Sequence, residues 1–177
     1  GGFATPSPRL FRDLRMASAV ACRSASRQRS FASQISQWLV FSDLHVSRST
    51  CEVCLKVLQT VNREAQKRNA GVIFLGDFWH ARGSLPVEPL NAVLQLFANW
   101  PQPTLMITGN HDQVNLGGSV HALEPLSRAA KSVTVFSEPS VYMDALWLPY
   151  RRKPEEIEEA LQLTDPAKIK AVFAHVD

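Results

Sequence analysis

Four apolar runs in this sequence each end in a residue able to bind a cation or move a proton. Trp38-Leu39-Val40-Phe41 leads into Ser42-Asp43-Leu44-His45, and Val72-Ile73-Phe74-Leu75 into Gly76-Asp77. Leu105-Met106-Ile107-Thr108 leads into Gly109-Asn110-His111-Asp112, and Ala171-Val172-Phe173-Ala174 into His175. Runs of this kind read as buried strands, and in open α/β sheets the crevice outside the strands' carboxyl ends is where ligands bind. A strand period of two puts Asp43 and His45 on the same side of the chain, facing one space. Carboxylate, imidazole and amide oxygen form a mixed donor set that suits manganese, iron or zinc better than an all-oxygen magnesium cage. A carboxylate between two others, as Asp77 is, can bridge two cations about 3.5 to 4 Å apart, the spacing of two-metal phosphate ester hydrolysis.

The elements that must position these groups follow from the pattern between them. From about Cys51 to Arg68 the spacing of Val53, Cys54, Val57, Leu58, Val61 and Ala65 predicts a helix with one apolar face. Ser49 or Thr50 is placed to cap its start, and Lys67 and Arg68 suit its carboxyl end. Strands at 38–42, 72–76 and 104–108 alternate with this helix and with a second one carrying Leu90, Val93, Leu94 and Phe97. Two βαβ units result, with three parallel strands and right-handed crossovers. Gly117-Gly118 is expected to open a helix through His121 to Ala130, followed by a strand at Val133–Phe136. Val141-Tyr142-Met143 and Leu146-Trp147-Leu148 read as a hairpin or two short strands around Asp144, Pro154 as a helix start, and 171–174 as a last strand. The fold class is α/β and layered, with early strands parallel and later ones mixed.

The 177 residues, 45% of them hydrophobic, fit one domain with a real core, and no apolar run approaches the roughly 20 residues of a transmembrane helix. No membrane partner is therefore expected. Three cysteines offer no disulfide framework and suggest a reducing compartment. Residues 1–36 hold six arginines and one acid, a charge of +5 within a total of +3, so the remainder is slightly acidic and lacks the basic stripe of many nucleic-acid-binding surfaces. This Arg/Ser/Ala-rich leader, expected to be disordered, resembles a chloroplast or mitochondrial transit peptide, with Met16 as a second candidate start. The competing reading is a basic leader with no address and a cytoplasmic protein.

Taken in order, Asp43-Leu44-His45, Gly76-Asp77, Gly109-Asn110-His111-Asp112 and His175 resemble the motifs of the calcineurin-like metallophosphoesterases, over roughly Gln37 to Asp177. Gly76-Asp77-Phe78-Trp79-His80 and Gly109-Asn110-His111-Asp112-Gln113 resemble the DNA repair exonuclease branch, relatives of the double-strand-break repair nuclease. The resemblance implies an αββα sandwich holding two divalent ions (manganese, iron or zinc) and hydrolysing a phosphomonoester or phosphodiester, nucleic acid among the candidates, with a metal-activated water. Asp43 and His45 would hold the first ion, Asp77 would bridge both, and Asn110 and His175 would hold the second. His111 would stabilise the phosphoryl oxygens or protonate the leaving oxygen, oriented by Asp112. The family pattern ends in a Gly-His-x-His segment that gives each ion one more ligand, and none follows His175. The resemblance thus implies a truncated domain with the C-terminal part of its second sheet missing. The alternative is a non-catalytic member that acts by binding.

Other residues carry two readings each. His80 would line a substrate entrance or serve as a hydrogen-bonded loop histidine, and His121 reads as structural. Cys51-x-x-Cys54 reads as part of a buried helix face rather than a redox or zinc pair. Trp79 and Trp147 read as packing residues. Arg151-Arg152-Lys153 reads as a solvated turn, with contact to a phosphate backbone as the other possibility.

Overall fold

The computed structural model describes residues 35–115 and 117–176. The expected leader lies outside the described residues as far as residue 34. Four parallel strands form the first sheet: β1 (Trp38–Phe41), β2 (Gly71–Phe74), β3 (Thr104–Ile107) and β4 (Val133–Phe136), in that spatial order. Helices α1 (Cys51–Arg68), α2 (Val87–Ala98) and α3 (Glu124–Ala129) make the crossovers. The second sheet has the order β5 (Ser140–Tyr142), β6 (Ala145–Leu148), β7 (Ala171–Ala174), with β5 antiparallel and β7 parallel to β6. Helix α4 (Pro154–Gln162) and a single 3-10 turn (Pro166–Lys168) link β6 to β7. No described helix is long and apolar enough to cross a membrane.

Alternation along the strands explains the layers. In β2 and β3, Val72, Phe74 and Met106 join one core with Cys54, Leu58, Val93, Phe97 and Leu126 of the helices. Their neighbours Ile73, Leu105 and Ile107 face the other way and pack on Ala145 and Trp147 of β6. Phe136, Trp147 and Phe173 stack in that second core, with centroids 4.8 and 4.6 Å apart. Both faces of the first sheet are therefore covered, which is why its central strands are apolar throughout. A cavity of about 320 Å³ lies between α4 and the outer side of β5 and β6, lined by Val141, Leu146, Ala160 and Leu163 among others. The order is helices, sheet, sheet, helix, the layered α/β fold expected.

Register aims the strand ends at one edge. Trp38 pairs with Gly71 and Phe41 with Phe74, Val72 with Thr104, and Thr104 with Val133. In the second sheet Leu148 pairs with Ala174, and the His175 amide then donates to the Leu148 carbonyl at 3.1 Å. The Tyr150 amide donates to the Thr108 carbonyl at 2.8 Å, tying the exit of β6 to that of β3.

The structure differs from the sequence reading in four local respects. Strands end one or two residues early, at Phe41, Phe74 and Ile107; beyond Phe41 and Phe74 the chain turns into left-handed backbone at Asp43, Gly76 and Asp77. Val53 and Val57 on α1 are exposed, since the buried stripe is Cys54, Leu58 and Ala65 and these valines sit 100° around the helix from it. Thr50 occupies the cap position, but its hydroxyl donates to the His45 carbonyl at 2.9 Å instead of capping α1. The helix expected over His121–Ala130 begins only at Glu124. The Val120 and Ala122 amides are already bonded to Asn115 Oδ1 and the Asp112 carbonyl, so the segment before Glu124 is held as loop. The hairpin around Asp144 forms as expected, with Met143 and Asp144 both at positive φ, as a type I′ turn requires.

Candidate metal centre

Beyond Phe41 and Phe74 the two chains keep pairing as loops. The Leu75 amide donates to the Phe41 carbonyl, Asp43 to Gly76, His45 to Asp77 and Val46 to Phe78, over 2.8–3.0 Å. Within this paired segment Asp43, His45 and Asp77 have φ of 57°, 48° and 61°. Left-handed backbone at non-glycine residues is uncommon and costs conformational energy, so three such residues side by side mark a built site. It also changes how the side chains come together. Asp43 and His45 converge through this loop geometry, not through the alternation of a strand.

Glycine is required where the loops meet. A Cβ on Gly109 would run into the Asp77 carboxylate and amide, and one on Gly76 (φ 95°) would lie 2.6 Å from His175 Nδ1 and 2.8 Å from the Gly109 Cα. Only bare backbone lets these loops approach so closely.

Asp77, 5% exposed, lies between two imidazoles. His45 Nε2 is 3.7 Å from Asp77 Oδ2 and 3.8 Å from Asp43 Oδ1, while His175 Nε2 is 3.6 Å from Asp77 Oδ1. These separations exceed a hydrogen bond and match the spacing of ligands around a common ion, each about 2.1 Å from it. His175 Nδ1 lies 2.7 Å from the Leu75 carbonyl, so that nitrogen carries the proton and the Nε2 lone pair faces Asp77. A ring nitrogen donating to a backbone carbonyl is the usual support of a metal-binding histidine. Asn110 is buried beside His111 on the exit of β3. The acids, imidazoles and amide therefore fit divalent cations. Asp43, His45 and Asp77 place one ligand atom each within 4.8 Å of one another.

His111 is held by two contacts. Its amide donates to Asp77 Oδ1 at 2.9 Å, and its Nδ1 donates to the His80 carbonyl at 2.7 Å. Nε2 is thereby the nitrogen left to act. The His80 ring stacks on that of His111, 5.9 Å between centroids and 19° between planes, and the His45 ring meets His111 edge-on at 4.9 Å. His45, His80 and His111 also bring ligand atoms within 4.8 Å.

Asp112 has a different task from the one expected. It is fully buried and accepts four backbone N–H groups, from Asp77 (2.8 Å), Phe78 (3.0 Å), Trp79 (3.1 Å) and Gly109 (3.0 Å). It locks the Gly76 loop to the Gly109 loop, and the partner that orients the His111 ring is the His80 carbonyl. Burial pushes the Asp112 carboxyl up to about 6, with Asp77 adding to the rise; the Gly109, Trp79 and Phe78 amides pull the other way.

The remaining sequence candidates fall out simply. Cys54 is buried and its thiol donates to the Leu44 carbonyl at 3.2 Å, so the cysteine pair is helix packing that also steadies the first loop. Trp79 and Trp147 are core residues. His121 lies inside, 3.9 Å from Glu124, and burial lowers its pKa. Arg151 is buried, donating to the Ser137 and Tyr150 carbonyls, whereas Arg152 is exposed. Arg82 and Tyr150 belong to no motif, yet both line a cavity of about 280 Å³ beside Asn110. Only proximity in the fold could have found them.

The calcineurin-like phosphoesterase family model matches residues 38–174, and the chain belongs to that family. Among solved structures it is similar to the nuclease MPE of Pseudomonas putida, at 25% identity and a TM-score of 0.40. That match covers 66% of this chain and 54% of the nuclease chain, so this chain spans about half of that length. No curated protein matches the chain.

Proposed function

We propose that this chain is a metal-dependent phosphodiesterase with two cation sites that share Asp77. Asp43 and His45 would add to the first site, and Asn110 and His175 to the second. The observation that carries the reading is that the two oxygens of one buried carboxylate face different imidazoles, Oδ2 toward His45 and Oδ1 toward His175. The mixed donor set favours manganese, iron or zinc. When bound, such cations supply a water of lowered pKa and neutralise charge on the phosphoryl oxygens.

The protein's own groups do the rest. His111, with its Nδ1–H given to the His80 carbonyl, presents Nε2, which in the imidazolium form would hold a proton against the leaving oxygen or a phosphoryl oxygen. Asp112 keeps the loops of Asp77 and Gly109 in one relation, so that ligands and proton donor stay in register. Purified full-length chain supplied with manganese should hydrolyse bis(4-nitrophenyl) phosphate, and lose that activity with chelator. No turnover by folded protein with manganese, iron or zinc would contradict the proposal and leave the non-catalytic binding reading.

We also propose that residues 1–36 direct the protein to a chloroplast or mitochondrion, on the strength of their arginine-rich, acid-poor composition. A fluorescent fusion of that segment should enter the organelle, and a wholly cytosolic signal would remove the idea.

A further inference from the structure

The cavity of about 280 Å³ beside Asn110 is lined by Arg82, Arg152, Tyr150 and Gln113 among others, and no acid among the described residues lines it. We infer that it seats a second phosphate next to the reacting one, so that the substrate is a phosphoester bearing neighbouring phosphates, an oligonucleotide strand above all. The inference rests on the phosphodiesterase reading of the Asp77 site and names the substrate class for it.

The argument begins with charge. Among the described residues Arg63, Arg82 and Arg152 have no carboxylate partner, whereas Arg48, Arg68, Arg128 and Arg151 do, and of the three only Arg82 and Arg152 line the cleft. Two guanidinium groups without a carboxylate partner, at a cleft where no described residue is acidic, form a surface that favours phosphate, whose oxygens match the fork of arginine donors. Arg151 next door shows the contrast. It is buried, bonded to the Ser137 and Tyr150 carbonyls and 3.6 Å from Glu156, and so serves the fold.

Position and shape add to this. Asn110 belongs both to the wall of the cleft and to the candidate metal centre, so a ligand filling the cleft is continuous with whatever reacts at Asp77. The wall is held firmly, since Gln113 Nε2 donates to Thr108 Oγ1 at 3.2 Å and to the Tyr150 carbonyl at 2.8 Å. The Tyr150 ring, which lines the cleft, meets the His175 ring edge-on at 6.3 Å and so joins the cleft to the candidate metal centre. Aromatic and arginine faces side by side are what a sugar-phosphate chain with stacked bases uses.

The test is binding, measured without metal. Fluorescence anisotropy of a labelled short oligothymidylate, in chelator and across a salt series, should show saturable binding by the full-length chain. Arg82→Ala and Arg152→Ala are each expected to weaken it about tenfold and to flatten the salt slope by about 0.7 for each phosphate that is no longer neutralised. Both side chains are exposed, and Arg63→Ala on the outside of α1 makes the same charge change away from the cleft; it should leave affinity and slope unchanged. No binding by the parent chain, or equal losses in Arg63→Ala and the cleft variants, would overturn the inference. Competition separates the two sources of a second phosphate. Displacement by a nucleoside diphosphate as effective as by unlabelled strand supports the shared chemistry with a small nucleotide as occupant, and displacement by strand alone supports the polynucleotide. Turnover of bis(4-nitrophenyl) phosphate is read separately. Strand binding weakened as expected in the cleft variants, with no turnover by the parent chain, would uphold the cleft and remove the phosphodiesterase reading.

Discussion

Asp77 and Asp112 clasp each other's loops. The Asp77 amide donates to Asp112 Oδ2 at 2.8 Å, and the amide of His111, the residue before Asp112, donates to Asp77 Oδ1 at 2.9 Å. One carboxylate is engaged wholly by backbone, and the other keeps Oδ2 clear of backbone amides. That division makes Asp112 the scaffold and leaves Asp77 free for the proposed role of ligand.

Asp112→Asn should therefore act on stability before chemistry. The amide side chain retains one acceptor oxygen and sets its NH2 against backbone donors, so amides now bonded to a carboxylate are left unsatisfied. A loss on the order of 3 kcal/mol is expected, since bonds to charged groups contribute about 1.5 to 3 kcal/mol each. Urea denaturation checks it; an unchanged midpoint would show that the clasp contributes nothing.

His111→Gln should do the opposite. Fold and metal content are expected to survive, while kcat on bis(4-nitrophenyl) phosphate falls about 10²- to 10⁴-fold, the range of a positioned proton donor. Equal activity would show that the proton is handled elsewhere.

Gly109→Ala and Gly117→Ala form a matched pair. A Cβ on Gly109 meets Asp77, whose loop the Asp112 clasp prevents from yielding, whereas one on Gly117 meets nothing within 4 Å. The first should lose metal binding and about 1 to 3 kcal/mol of stability, as overpacking does. The second should behave as the parent, and both are read by thermal unfolding and metal stoichiometry.

His121 gives stability a pH dependence of known sign. Burial lowers its pKa below the ordinary 6.5, with Glu124 pulling it back. Between the lowered folded value and 6.5 the unfolded chain binds more protons, so this contribution is complete above 6.5 and lost as pH falls through that window. The urea midpoint of the parent should drop further than that of His121→Leu between about pH 7.5 and about pH 5.5. Equal drops would contradict this.

The parallel strands, their alternation with helices and the delivery of Asp43, His45, Asp77, Asn110 and His175 to strand ends are legible in the sequence, because apolar runs end directly in these candidate ligands; the spatial order of the strands is not. Neither is the finer geometry. That Asp43, His45 and Asp77 lie in left-handed backbone depends on loops pairing beyond their strands, which no local pattern encodes. The resemblance implies Asp112 as the group that orients His111, yet its oxygens look back to amides three residues and more than thirty residues away. The late start of α3 has the same origin, tertiary hydrogen bonds overriding a helical pattern.

Whether Asp77 joins two cation sites is decided by isothermal titration of manganese into Asp77→Ala, His45→Ala and His175→Ala. If Asp77 is the ligand that both sites share, its loss should weaken both binding events, while His45→Ala and His175→Ala each weaken one and spare the other. An Asp77→Ala protein that binds manganese with the parent's stoichiometry and affinity would contradict the shared-ligand centre.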